Sequence, residues 1–146
     1  MNRQEALQQI INSARGRGAC EAVEGMITFR DAIGLLLSPQ GREFALLTGF
    51  PWISTWRENA SEIDRFGEIY LDCGRCRAVN ADCVAVGETS MEITLHGTAP
   101  LYHIMAMHGA HVALHAGNHA VVTVTEAGGT IEIHNDGTAA ITIEKI

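Results

Sequence analysis

Histidine is the chemically active residue type that this sequence concentrates most. Six of the seven histidines lie between His96 and His119, namely His96, His103, His108, His111, His115 and His119. Imidazole is the commonest side chain that binds zinc and other transition metals, so metal binding is the first chemistry to weigh. Secondary structure decides which histidines can act together. On a helix, His111, His115 and His119 share one face with neighbours about 6 Å apart, within reach of one ion. On a strand, His111 and His115 lie roughly 13 Å apart and cannot share one. The candidate ligands are His103, His111 and His115, with a transition metal such as zinc as the cofactor, provided that different strands bring them together. No HxH, HExxH or cupin-type spacing supports them. The competing reading needs no cofactor and leaves the histidines on an outer face or at turns.

Cysteine offers less. Cys73-Gly-Arg-Cys76 is a CxxC and Cys83 follows, but a zinc site needs a second pair, which only Cys83 and a histidine such as His96 can supply. A redox CxxC belongs at a helix N-terminus, and the residues after this one read as strand. GxSxG, Walker and strand-to-helix GxGxxG motifs are absent from the sequence, and Asp72, Asp82, Glu88 and Glu92 are dispersed carboxylates rather than a paired acid and base. Enzymatic activity is therefore not the leading expectation.

Charge narrows the partners. The chain carries 10 Lys+Arg against 17 Asp+Glu, a net charge of −7. Most of the excess falls after residue 66, where Arg75, Arg77 and Lys145 are the only basic residues apart from histidine. Such a surface repels phosphate backbones, and the one basic cluster, Arg15 with Arg17, reads as a solvated loop, so no nucleic-acid partner is expected. No stretch approaches the roughly 20 apolar residues of a membrane span, and the first residues lack the apolar core of a secretory signal. The expected location is the cytoplasm, with no membrane partner. Four cysteines in 146 residues are too few for a disulfide scaffold.

The elements that position these groups divide the chain into two parts. Residues 1–66 read as a helical head. Leu7, Ile10, Ile11 and Ala14 recur at helical spacing, Gly16 and Gly18 end that helix, and Thr28 with Asp31 suggests a cap for a second. In SPQGREFALLTG, Ser38 caps a third helix, Pro39 takes its first position and Gly49 supplies the left-handed stop. PWISTWRENASEIDRF adds one or two helical turns that place Trp52, Trp56, Ile63 and Phe66 in a core.

Residues 67–146 form a repetitive β region. Cut after Val86, the tail falls into ten-residue blocks, with Gly87, Gly97, Gly117 and Gly137 opening four of them. Fixed-period self-similarity marks stacked supersecondary units. Ile131 with Ile133, Ile141 with Ile143, Val122 with Val124 and Val112 with Leu114 form inward pairs, some a position out of phase, as turns of unequal length require. The fold class is α+β, a helical head followed by a β-solenoid or β-roll-like tail in which two blocks make a coil of about 20 residues. An antiparallel β-sandwich or barrel is the alternative, less favoured because Asp136-Gly137 is the only Asn-Gly or Asp-Gly pair in the tail. At a strict 20-residue period, His115 falls over Leu95 and Asn135, and no histidines stack.

SPQGREFALLTGFP followed by GEIYLDCG and a glycine-punctuated β tail resembles a group of small uncharacterised proteins from gut bacteria. The resemblance implies a helical head fused to a β tail. That group has no assigned activity, so the likeness transfers no functional residues.

These features point to a non-enzymatic structural or protein-interaction module, with the helical head covering one end of the stack. The last block, GTAAITIEKI, is a strand with little polar cover, which predicts self-association as a homo-oligomer or docking of a protein partner. The alternative is a metal-binding protein or metal-dependent enzyme that uses the histidine-rich region 96–119.

Overall fold

The computed structural model describes residues 35–63, 68–97 and 100–145. The expected helix over residues 7–14 and its glycine stop, the Thr28 and Asp31 cap, Arg15, Arg17, Cys20 and Phe66 lie outside the described residues. Helix α1 spans Pro39–Thr48, α2 spans Ile53–Glu58 and a last turn, α3, spans Ala60–Ile63. Nine strands follow: β1 (Ile69–Leu71), β2 (Gly74–Val79), β3 (Cys83–Val86), β4 (Thr89–His96), β5 (Leu101–Met107), β6 (His111–Gly117), β7 (Val121–Ala127), β8 (Thr130–Asn135) and β9 (Ala140–Lys145). Among the described residues no helix is long and apolar enough to cross a membrane.

The signals around α1 act as their chemistry dictates. The Ser38 hydroxyl accepts the Gly41 N–H at 3.2 Å, which satisfies one of the free donors of the first turn. Pro39 occupies the start, where its missing N–H costs nothing. Gly49, at φ 75°, closes the helix by donating its N–H to the Ala45 carbonyl at 2.8 Å.

The β region is a parallel β-solenoid of about four coils, so the solenoid reading holds and the antiparallel alternative does not. Odd-numbered strands form a five-stranded sheet in the order β1-β3-β5-β7-β9, and even-numbered strands form a four-stranded sheet in the order β2-β4-β6-β8. Every named strand pair is parallel. Alternation along β4 and β6 sends Met91, Ile93, Leu95, Val112 and Leu114 into the space between the sheets. There they meet Cys83, Ala85, Tyr102, Ile104, Val122 and Val124 from the facing sheet.

The corners explain the glycine cadence. Asp72, Asn80, Gly87, Gly97, His108, Asn118, Gly128 and Gly137 all have positive φ, so each bend between successive strands holds at least one such residue. At Gly87, φ 70°, a side chain would also run into the Asp72 carboxylate, which accepts the Glu88 N–H at 2.8 Å across the corner. Gly129 is fixed by proximity instead, since a Cβ there would lie 2.7 Å from the Ala106 methyl carbon and the Ala110 carbonyl oxygen.

Coil length is not constant. Ile69 pairs with Val84, Cys83 with Ile104, Leu101 with Val121 and Val121 with Ala140, so successive steps run from roughly 15 residues to about 20. On the other sheet Val112 pairs with Met91 and with Ile131. The phase slip legible in the aliphatic pairs is thus absorbed by corners of unequal length.

Among the described residues the helices lie against a face of the solenoid, whereas the sequence suggested cover for one end. Val84, Val86, Met105, Met107 and Ala127 project outward from the five-stranded sheet and pack with Leu36, Ala45, Phe50, Trp56 and Ile63. The reason is compositional. Cys83–Val86 and Ile104–Met107 are apolar at every position, so both faces of these strands require cover. Phe50 meets Trp52 edge-on at 5.1 Å, and Arg57 grips Asp72 through two hydrogen bonds of 2.9 and 3.1 Å.

Leu114, wholly buried between the sheets, tests this packing. Leu114→Ala is expected to cost about 2–5 kcal/mol in denaturant unfolding. Leu47→Ala, at an exposed position on α1, should change stability by less than about 0.5 kcal/mol.

Candidate functional site

The outer face of the four-stranded sheet is where ionisable side chains gather. Alternation along β4, β6 and β8 turns Ser90, Glu92 and Thr94, then His111, Ala113 and His115, then Thr130, Glu132 and His134 outward. The register aligns them in three columns: Ser90, His111 and Thr130; Glu92, Ala113 and Glu132; Thr94, His115 and His134. Ala113 leaves a shallow gap among longer neighbours.

Contacts knit the columns together. His115 Nε2 lies 3.1 Å from Glu92 Oε1, and His134 Nε2 lies 3.1 Å from Glu132 Oε1. The rings of His115 and His134 stack 4.8 Å apart at 12°. His111 Nδ1 meets the Thr130 hydroxyl at 2.9 Å, and its Nε2 stands 3.7 Å from Glu132 Oε2. Arg77 Nε approaches Glu92 Oε2 at 3.5 Å. These side chains are roughly half exposed, so each ion pair is worth about 0–1 kcal/mol at most. Stability alone is a weak reason for the cluster.

The structure puts two of the three histidines marked by sequence on one face of the solenoid, out of reach of a common ion. His111 and His115 project from the same face of β6, two columns apart. His103 lies on β5 in the opposite sheet, with Nδ1 3.5 Å from Arg42 Nη1 and its backbone N–H donated to Asp82 Oδ1 at 2.9 Å. Of the remaining histidines, His108 and His119 stand at corners, and His108 Nε2 contacts the Pro51 carbonyl at 2.5 Å. Among the described residues no three His, Cys, Asp or Glu side chains converge, as placed, on a point that would hold an ion.

No protein-family model matches the chain, and neither a curated protein nor a solved structure matches it. Its chemistry therefore rests on its own geometry.

His134 and Glu132 were missed from sequence because a uniform 20-residue period puts Leu95 and Asn135 beside His115. The true neighbours are Thr94 and His134. The signal was present in the aliphatic residues: laying Ile131 and Ile133 on Val112 and Leu114 shifts the comparison by one and stacks the two histidines.

Among the described cysteines, Cys83 acts as a packing group. Cys83 is buried with its Sγ 3.0 Å from Met91 Sδ, and burial pushes its thiol far above the ordinary range. Burial also raises Cys76, within β2, and Cys73 stands at the β1–β2 corner. The CxxC therefore opens a strand, not a helix, as the sequence indicated.

His103 borders a network that clamps α1 to the last strand. Arg42, buried beneath α1, donates through Nε to Glu144 Oε1 at 2.8 Å and through Nη1 to the Leu37 carbonyl at 2.6 Å. The Thr125 hydroxyl donates to the same Glu144 oxygen at 2.8 Å. Burial works against ionisation of Glu144, but the hydrogen bonds from Arg42 and Thr125 outweigh it and hold its carboxyl below the usual range. A depressed folded-state value gives stability that is complete above the ordinary carboxylate pKa of about 4.3 and lost as pH falls through the folded value. Glu144→Gln is therefore expected to lower the melting temperature at pH 7 by a few degrees, about 1 kcal/mol after allowance for partial exposure, and to match the parent near pH 2–3. An equal gap at both pH values in thermal melts would exclude the ionised contact as its source.

Proposed function

We propose that this chain is a non-enzymatic structural and protein-interaction module that associates with a second copy of itself through the coil end formed by β8 and β9. The observation that carries this reading is Ile143. It continues the inward column of Val124, which is fully buried, yet Ile143 is 53% exposed. Ile133 and Ile141 on the same coil are only partly buried.

Backbone chemistry supports the same end. Among the described residues β8 pairs only with β6, and β9 only with β7, which leaves one row of N–H and C=O groups on each turned away from the described sheet. Strand edges of this kind template pairing with another strand, and the half-covered isoleucines add apolar area to the contact. The described helices do not compete for it, because they occupy the outer face of the five-stranded sheet. A reducing, cytoplasmic setting fits a chain whose buried thiol, Cys83, serves as packing.

Light scattering and sedimentation of the chain across a wide concentration range test the reading. The expected result is a species of twice the chain mass that Ile143→Lys, a charge placed on a strand edge, converts to monomer without loss of β-sheet circular dichroism. A chain that stays monomeric at high concentration overturns the reading. A dimer that survives Ile143→Lys moves the interface elsewhere.

A further inference from the structure

We propose that His115, His134 and Glu132, on adjacent coils of the four-stranded sheet, bind one divalent transition-metal ion. The sequence pointed instead to His103, His111 and His115. Geometry replaces two of those three.

The register makes the site. His115 and His134 are direct partners across β6 and β8, so their backbones stand about 4.8 Å apart. Glu132 precedes His134 by two residues on the same face of β8, about 6.6 Å along the strand. Side chains from these three positions can meet at a point above the sheet, given metal–nitrogen and metal–oxygen bonds of about 2.0–2.2 Å. His111 cannot join them, because it stands four residues from His115 along one strand, roughly 13 Å away. His103 faces the opposite side of the solenoid.

The three side chains are neighbours, though their donor atoms do not converge as placed. His134 Nε2 and Glu132 Oε1 stand 3.1 Å apart, and the His115 ring lies directly over that of His134. One adjustment is required. A metal lies in the plane of each imidazole that binds it, so two parallel rings 4.8 Å apart cannot share an ion until one turns. The rings are nearly half exposed, at 41% and 49%. Each Nε2 then presents its lone pair to the ion and keeps its remaining hydrogen on Nδ1. Glu92, 3.1 Å from His115 Nε2 before the turn, is released to accept a hydrogen bond from a metal-bound water.

Two imidazoles and one carboxylate suit zinc, cobalt(II), nickel or iron(II) better than calcium or magnesium, which take oxygen ligands. The ion would also tie β8 to β6.

Titration of the full chain, purified without a histidine tag, with zinc and with cobalt(II) tests the proposal. One equivalent is expected to bind, with cobalt absorption that lacks thiolate charge transfer and with a raised melting temperature. His115→Ala and His134→Ala should each abolish stoichiometric binding, and Glu132→Gln should weaken it at least about 10-fold. His103→Ala, His111→Ala and the Cys73→Ser/Cys76→Ser pair should bind as the parent does. Circular dichroism of each variant separates loss of the site from loss of the fold. Absence of a stoichiometric equivalent, loss on His111→Ala alone, or binding that survives the His115→Ala/His134→Ala pair overturns the proposal.

Discussion

In a parallel strand ladder, the length of each corner dictates which side chains become neighbours. Hydrogen bonding between coils lets strands slide only in whole residues, and a slip of one residue would turn every inward side chain outward. The interior of Met91, Ile93, Leu114, Val112, Ile104 and Val124 therefore selects the register, and the register then places every outward residue. The His115 and His134 stack follows from it. Neither histidine chose its partner; Val112 and Leu114, locked onto Ile131 and Ile133, brought the two together.

The same constraint sets what could be read from the chain. Strand positions, the parallel stack and the caps of α1 were legible because each depends on local chemistry: alternation, left-handed corners, and the Ser38, Pro39 and Gly49 signals. The location of the helices was less so. A stack of coils offers both ends and sides as places to pack, and only the outward run of Val84, Val86, Met105 and Met107 identifies the side. The candidate site lay one step further off. His115 and His134 are separated by about one coil, and whether they meet or miss depends on a single residue of corner length.

The two outer faces have been given different chemistry by the same alternation. On the five-stranded sheet, apolar side chains recruit helices, and charge enters at its margin, where Arg42 reaches Glu144 and Thr125 on neighbouring strands. Helix docking and the last strand are thereby linked, because loss of Glu144 removes an acceptor from beneath α1. On the four-stranded sheet, the outward positions between Arg77 and His134 are mostly ionisable and half exposed.

Corner length has a consequence for how such a chain can change. Coils of about 20 residues stack with the same interior columns whatever their number. A duplication or loss of one whole coil would leave each remaining neighbour in phase. An insertion of an odd number of residues within a strand would throw that coil out of phase with its neighbours. The viable lengths of this tail thus form a ladder with one rung per coil, and only the bends, where Gly97 and Gly137 already absorb the differences, admit changes between the rungs.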